Sequence, residues 1–404
     1  MRRVVITGLG AISALGPDTN TFWQNLRAGC SAIGPLEGIV LDGLSIRVAA
    51  QVRCYDPAAH FDLKRLDLLD RFSQFALIAA REAVCDSGLD LTPDLAAQAA
   101  VVMGVGMAGK ITEDENYYNL YALGQKRFSP YLVPRSMANA ATSQMTMEFG
   151  ITGPALTVST ACSASNHAIG LAFGMVRSGQ AEAALAGGSE APFCYAPLKA
   201  WEAVRVMAPD TCRPFCRDRK GMVLGEGAGV VVLETAEGAR ARGARIYAEL
   251  IGFGMSSDAG HITQPSESGA TRAMQAALRD AGLAPEAIGY INAHGTATAA
   301  NDVTETRAIR QVFGPHADRL AVSGTKSMHG HALGASAALE LISTALALRD
   351  GILPPTANFT GPGEGCDLDY IPNTARALQV DAALSNSFAF GGLNAVLCLR
   401  RWNG

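Results

Sequence analysis

The chain has 404 residues, enough by length alone for two to three domains, and with 49% hydrophobic and only 17% charged residues much of it must be buried. Its formal charge is −4 with no long basic run, which argues against nucleic acid as the main partner. Mean hydropathy is +0.15, yet no run approaches ~18 uninterrupted apolar residues, so no membrane span is expected.

Strand-like runs alternate with helical ones along the first half. Arg3–Thr7 follows directly on Met1 and Arg2 and reads as a strand rather than a secretory core, so a reducing cytoplasm is the expectation. Phe72–Cys85 has helical spacing, Ala100–Gly104 and Leu156–Thr160 are strand-like, Ala168–Ser178 is a small-residue helix, and Ala183–Ala186 and Gly229–Glu234 are strands again. Such alternation predicts an α/β architecture with a largely parallel sheet, whose doubly buried strands account for the apolarity.

The second half repeats the plan. Arg245–Ile251 leads into Gly252-Phe-Gly as Arg3–Thr7 leads into Gly8-Leu-Gly, and Ile288–Asn292 stands where Ala100–Met103 stood. Leu320–Ser323 precedes the helical stretch Ala332–Ala347, and Ala383–Ser385 runs to a Gly-Gly pair as Ala183–Ala186 does. Thr235–Gly243 reads as a helix joining two halves, placed at residues 1–243 and 244–404.

Cys162, in Leu156-Thr-Val-Ser-Thr-Ala-Cys-Ser-Ala-Ser-Asn-His, ends a β-branched run and opens a helix. Unpaired N–H groups and the positive end of the helix dipole favour thiolate there, so a sulfur nucleophile is expected. Nine cysteines, odd and scattered, do not form a disulfide framework, and a buried structural thiol is the plainer reading of any one of them. Two histidine segments favour chemistry at Cys162. Tyr290-Ile-Asn-Ala-His-Gly-Thr-Ala-Thr places His294 at a strand's C-terminal end, with hydroxyls on Thr296 and Thr298. Ser323-Gly-Thr-Lys-Ser-Met-His-Gly-His carries Lys326, His329 and His331 ahead of an Ala-rich helix, from which Glu340 can face Lys326. No zinc spacing is present, and no metal is expected.

With these motifs in order, the sequence resembles, from end to end, the elongating Cys-His-His β-ketoacyl-acyl-carrier-protein synthases, including nodulation and type II polyketide relatives. Thr160-Ala-Cys-Ser, Asn292-Ala-His-Gly-Thr, Thr325-Lys-Ser, Gly330-His and Asn386-Ser-Phe-Ala-Phe-Gly-Gly carry the likeness. It implies the thiolase-like αβαβα sandwich of two related halves, and an acyltransferase that extends a chain by two carbons through decarboxylative condensation with malonyl-carrier protein. Cys162 would hold the acyl group, and His294 and His331 would donate to the enolate. The Cys162 and Phe390 N–H groups would hold the tetrahedral oxyanion, with Lys326 and Glu340 in support. Thr296 and Thr298 would hold the phosphopantetheine arm, which arrives on the acyl carrier protein, so no resident cofactor is implied.

The resemblance also suggests acyl-pocket places for Met107 and Trp201, each equally readable as core packing. Phe388 and Phe390 bracket a gating loop in which Ala389 stands for the usual glycine and Leu393 for a common Thr. A Cβ at residue 389 implies less swing or a different hinge. The carrier dock matches least. Lys64 and Arg65 lie in the usual segment, but Asp67 and Leu68 occupy places often basic, and Arg213 and Arg217 are alternative charges. The expected assembly is a homodimer, or a heterodimer with a cysteine-less chain-length subunit.

Competing readings are weaker. Gly8-Leu-Gly lacks the third glycine and the acidic partner of a dinucleotide fold. A thiolase would need a second cysteine, and Cys398 in Val396-Leu-Cys-Leu looks like strand core; a peptidase is supported only by a generic Cys plus His. A catalytically silent chain-length partner would lack Cys162.

Overall fold

A computed structural model describes all of Met1–Gly404. Ten strands form its main sheet: β1 (Val4–Ser13), β2 (Ala99–Gly104), β3 (Ala155–Val158), β4 (Ala183–Glu190), β5 (Gly227–Thr235), β6 (Ala248–Ser257), β7 (Tyr290–Asn292), β8 (Ala321–Ser323), β9 (Ala382–Ala389) and β10 (Leu393–Arg401). Their spatial order is β8-β7-β9-β10-β6-β1-β5-β4-β2-β3. Each half thus repeats one order about the β1–β6 seam, and β1 matches β6, β2 matches β7, and so on to β5 and β10. The residue correspondences in the sequence are those of this two-fold arrangement.

The helices that cover the sheet are α1 (Arg71–Ser87), α2 (Ala140–Phe149), α3 (Ala164–Ser178), α4 (Tyr195–Val204), α5 (Glu267–Ala281), α6 (Ala299–Phe313) and α7 (Ser336–Asp350). Side-chain alternation along the strands sorts them into five layers. Val102, Ala184, Ala186, Val231 and Leu233 face a central core with Ile169 and Phe173 of α3 and Leu339 and Ile342 of α7. Val101, Met103 and Leu185 face Phe72, Phe75 and Met145 on α1 and α2. In the other half Leu384, Val396 and Cys398 face Met274 on α5 and Ile309 on α6. The result is the αβαβα sandwich. Cys398 is core, as its strand context predicts.

The glycine pairs explain themselves here. Gly8 and Gly10 lie inside β1, not in a turn, and a Cβ on either would come within 2.1 and 1.8 Å of α1 carbonyls. Gly252 and Gly254 do the same for α5, at 2.5 and 2.2 Å. Both pairs let a helix cross its strand closely; the resemblance to a phosphate-binding turn ends there.

The sheet is mixed, which corrects the largely parallel expectation. β2 is parallel to β3 and β4, and β7 to β8 and β9, but every pairing between is antiparallel. The reason is local for β9 and β10: the short connection Phe390–Gly392 can only make a hairpin. The joining helix is also shorter than expected, Ala236–Ala241. No helix is long and apolar enough to cross a membrane.

Candidate active site

Cys162 sits in a single 3-10 turn, Ala161–Ser163, that runs straight into α3. His294 follows β7, and His331 lies between β8 and α7. The equivalent strand ends of the two halves therefore bring the groups together across the two-fold seam. Non-glycine residues with positive φ mark all three turns: Ala161 at 51°, Ala297 at 63° and Leu333 at 45°. Strain of this kind costs roughly 1–3 kcal/mol each and persists where surrounding contacts over-determine the backbone. Gly330, at φ 67°, needs its missing side chain, since a Cβ would lie 2.7 Å from that of Ala50.

Cys162, His294 and His331 open onto one cavity of about 360 Å³, together with Thr296, Thr298, Trp201, Phe388 and Phe390. The histidine rings stand 5.5 Å apart at 84°, and Phe388 meets His294 edge to face at 6.1 Å. The Thr296 and Thr298 hydroxyls are 2.9 Å apart, and Thr298 also caps α6 by accepting from the Asn301 N–H.

Hydrogen bonds fix which ring nitrogen of each histidine faces the cavity. The Lys326 ammonium lies 3.3 Å from His294 Nδ1 and donates to the His294 carbonyl at 2.7 Å. The Leu333 N–H donates to His331 Nδ1 at 3.2 Å, with Ser336 Oγ at 2.9 Å. An ammonium and a backbone N–H can only donate, so both Nδ1 atoms are acceptors and both protons sit on Nε2. Burial and the Lys326 charge hold both imidazoles well below their ordinary pKa, hence neutral at physiological pH. Two N–H donors, uncharged and pre-aimed, therefore face the cavity.

Lys326 and Glu340 are fully buried and paired behind the histidines, outside the cavity. Burial pushes the Glu340 carboxyl up to about 7 against the pull of Lys326, and its second oxygen has no partner. Breaking a buried pair of this kind typically costs about 3–5 kcal/mol.

The thiol does not behave as its helix position predicts. Burial pushes Cys162 up to about 11, outweighing the Lys326 charge and the Phe390 and Cys162 N–H groups that face the sulfur. Burial of Cys162, 7% exposed as a residue, costs the thiolate more hydration than the local dipoles return, which favours the thiol at neutral pH. Alkylation of Cys162 by iodoacetamide is accordingly expected to climb about tenfold per pH unit from roughly pH 7 to 10. A plateau reached below about pH 8 would instead reveal an anion at neutral pH.

Other expectations are corrected by the geometry. Met107 does not reach the cavity; its N–H donates to Glu190 at 3.0 Å and its side chain packs on a separate apolar cluster. Ala389 closes β9 opposite Leu393 without positive φ, and the conformational freedom of the loop lies in Gly391 and Gly392, at 83° and 69°. Arg65 is held by Glu148 at 3.0 Å and Arg213 by Asp210 at 2.9 Å, so neither is a free charge, and Arg217 donates to the Thr360 carbonyl. Arg205, Arg219 and Lys220 line the cavity instead. Asp302 and Glu305, both on α6, hold the histidine loop. Glu305 accepts from the His294 and Gly295 N–H groups at 2.8 and 2.9 Å, and Asp302 from Phe215 and Ala297, fixing the histidine loop.

Glu190, Ser336 and Ser387 escape the sequence reading altogether. Glu190 accepts from the Gly106, Met107 and Gly334 N–H groups, and burial raises it to about 7. Ser387 donates to the Cys162 carbonyl at 3.0 Å. The one available signal was Glu190's place at the end of an apolar strand.

Comparison with known proteins agrees with this geometry. Residues 1–239 match the family model described as "Beta-ketoacyl synthase, N-terminal domain", and residues 247–360 the corresponding C-terminal domain. The chain is 48% identical over 400 residues to nodulation protein E of Rhizobium sp. (strain N33), covering 99% of each. It is 45% identical over 408 residues to 3-oxoacyl-[acyl-carrier-protein] synthase 2 of Coxiella burnetii, again covering 99% of each. A solved structure titled the ishigamide ketosynthase/chain length factor superposes with a TM-score of 0.94, at 38% identity over the whole of both chains.

Proposed function

This chain belongs to the β-ketoacyl synthase family, and from that premise we propose that it condenses an acyl group held on Cys162 with malonyl-acyl-carrier protein. The observation that carries the reading is the convergence of one thiol and two Nε2–H imidazoles on a single cavity. In the first step the Cys162 sulfur attacks the carrier-bound thioester, a sulfur–carbon bond forms as another breaks, and the thiol proton ends on the departing phosphopantetheine sulfur. No net base is consumed, which suits a nucleophile that rests protonated. Malonyl-carrier protein then loses CO₂, and the electron pair of the broken C–C bond becomes an enolate. Its oxygen accepts from His294 and His331, and its carbon attacks the acyl carbon. The Cys162 and Phe390 N–H groups face the sulfur and are placed for the resulting oxyanion. Collapse expels the Cys162 thiolate, which takes a proton from water, and releases a 3-oxoacyl chain two carbons longer.

The steps balance with no resident cofactor, and the pantetheine arm is supplied by the carrier protein. Thr296 and Thr298 suit its amide groups, and Arg205, Arg219 and Lys220 suit an acidic carrier. We assign Lys326 and Glu340 a positioning role, since Lys326 meets His294, Glu340 pairs with Lys326, and neither lines the cavity. The two halves, 1–243 and 244–404, are read as one catalytic unit working in the cytoplasm. Exposed Tyr117, Tyr118, Tyr121 and Val133, with the half-open edge strand β3, form the dimer face. A second copy is the partner this reading assigns to that face, and native mass spectrometry tests it by whether the assembly weighs twice 42.1 kDa.

Incubation with malonyl-carrier protein and acyl-carrier-protein primers should yield carrier-bound 3-oxoacyl products two carbons longer than each accepted primer, read by mass spectrometry. Release of CO₂ with no lengthened product from any primer would contradict the assignment.

A further inference from the structure

Glu190 closes β4 with its side chain wholly buried and outside the cavity, and every group that donates to it is a backbone N–H. Its Oε2 accepts from Gly106 at 2.8 Å and from Gly334 at 3.1 Å, and its Oε1 from Met107 at 3.0 Å. A buried carboxyl with no cation beside it is costly, so these donors are what hold it in the interior. They come from two segments that approach too closely for side chains. A Cβ on Gly106 would lie 2.5 Å from Glu190 Oε2, and one on Gly188 would lie 2.6 Å from the Gly334 carbonyl oxygen. Glu190 therefore clamps the loop after β2 to the 3-10 turn Leu333–Ala335. That turn also orients His331. Leu333 is held at φ 45°, and its N–H donates to His331 Nδ1 at 3.2 Å. Only the φ and ψ of Leu333 separate its own N–H from that of Gly334, so fixing one fixes the direction of the other.

Resting on the condensation reading above, we propose that Glu190 is a positioning residue for His331, holding the Leu333–Gly334 turn so that the imidazole keeps its proton on Nε2, toward the cavity. The other partner of His331 Nδ1 is Ser336 Oγ, a hydroxyl that donates or accepts equally well and so does not choose the tautomer. The choice falls to the Leu333 N–H, which can only donate. Without the Glu190 carboxylate the strained Leu333 relaxes, its N–H leaves Nδ1, and the ring carries its proton on either nitrogen. His294 has no such dependence, because the Lys326 ammonium serves its Nδ1.

The test follows the imidazole and the chemistry separately. With histidine labelled for nitrogen NMR, the His331 signals are identified by their loss in His331→Ala. They should report a proton on Nε2 in the unaltered chain and a mixture of both tautomers in Glu190→Gln, whose amide offers one acceptor oxygen where the carboxylate offers two. Release of CO₂ from malonyl-carrier protein should fall roughly tenfold in Glu190→Gln. Added to His331→Ala, the same substitution should cost less than about twofold more, whereas added to His294→Ala it should cost about tenfold again. Loosening of the fold alone would lower all three backgrounds alike. The proposal is overturned if His331 keeps a single tautomer in Glu190→Gln, or if the loss of CO₂ release is as large in His331→Ala as in the unaltered chain. Glu190→Asp keeps the charge one methylene short and should lie between, so it carries the comparison if the glutamine variant folds poorly. Release of CO₂ by the unaltered chain reads the condensation assignment on its own. Its absence would sink that assignment, while the tautomer signals would still judge the role of Glu190.

Discussion

Cys162→Ala is expected to abolish chain extension, by on the order of 10⁴-fold or more in kcat, while malonyl-carrier protein still loses CO₂ at a measurable rate. The separation follows from where the parts sit. On the proposed assignment the Cys162 sulfur carries the acyl group, so its loss removes the electrophile that the enolate must attack. The donors that serve the enolate are on other chain segments, held by Lys326, Leu333 and Ser336 rather than by Cys162. A methyl side chain leaves them in place. Release of CO₂ and formation of 3-oxoacyl product, followed in the same reaction, check both halves of this expectation.

The second large effect concerns the histidines. His294→Ala or His331→Ala should lower decarboxylation by roughly 10²–10³-fold each, the usual cost of about 3–4 kcal/mol for a lost donor to a developing oxyanion. Loading of Cys162 by an acyl primer should change by no more than about tenfold, because on the proposed assignment the oxyanion of that step is served by the Cys162 and Phe390 N–H groups, which face the sulfur. Rapid-quench measurement of acyl loading beside CO₂ release separates the two. If loading collapsed as far as decarboxylation, the histidines would be serving the thiol rather than the enolate.

The sequence revealed what local chemistry writes. The repeat of strand, glycine pair and helix is legible because each half must bury the same faces, so Gly8-Leu-Gly and Gly252-Phe-Gly recur where α1 and α5 press on their strands. Cys162, His294 and His331 are legible because each is flanked by turn residues at a strand end. Sheet polarity was not, since it depends on which strands become neighbours across long connections; only the β9–β10 hairpin was written locally. The thiol's protonation is hidden from the sequence for a related reason. A helix start is visible in sequence, but the degree of burial that overrides it is not.

The supporting residues were hidden by distance along the chain. Glu190 reaches Met107 and Gly334 from a different strand, and Glu305 turns back on His294 from inside α6. Charge is hidden in the same way, because Glu148, which neutralises Arg65 at 3.0 Å, lies 83 residues along the chain. The cations that do line the cavity, Arg205, Arg219 and Lys220, come from one stretch of chain, yet nothing in their spacing says that they meet a pocket.

The most direct measurement is peptide mapping of the chain quenched during turnover with an acyl-carrier-protein primer and malonyl-carrier protein. A primer-derived thioester on Cys162, discharged as 3-oxoacyl product accumulates, is the predicted result. An acyl adduct confined to any other residue, or extension proceeding with Cys162 unmodified throughout, would contradict it.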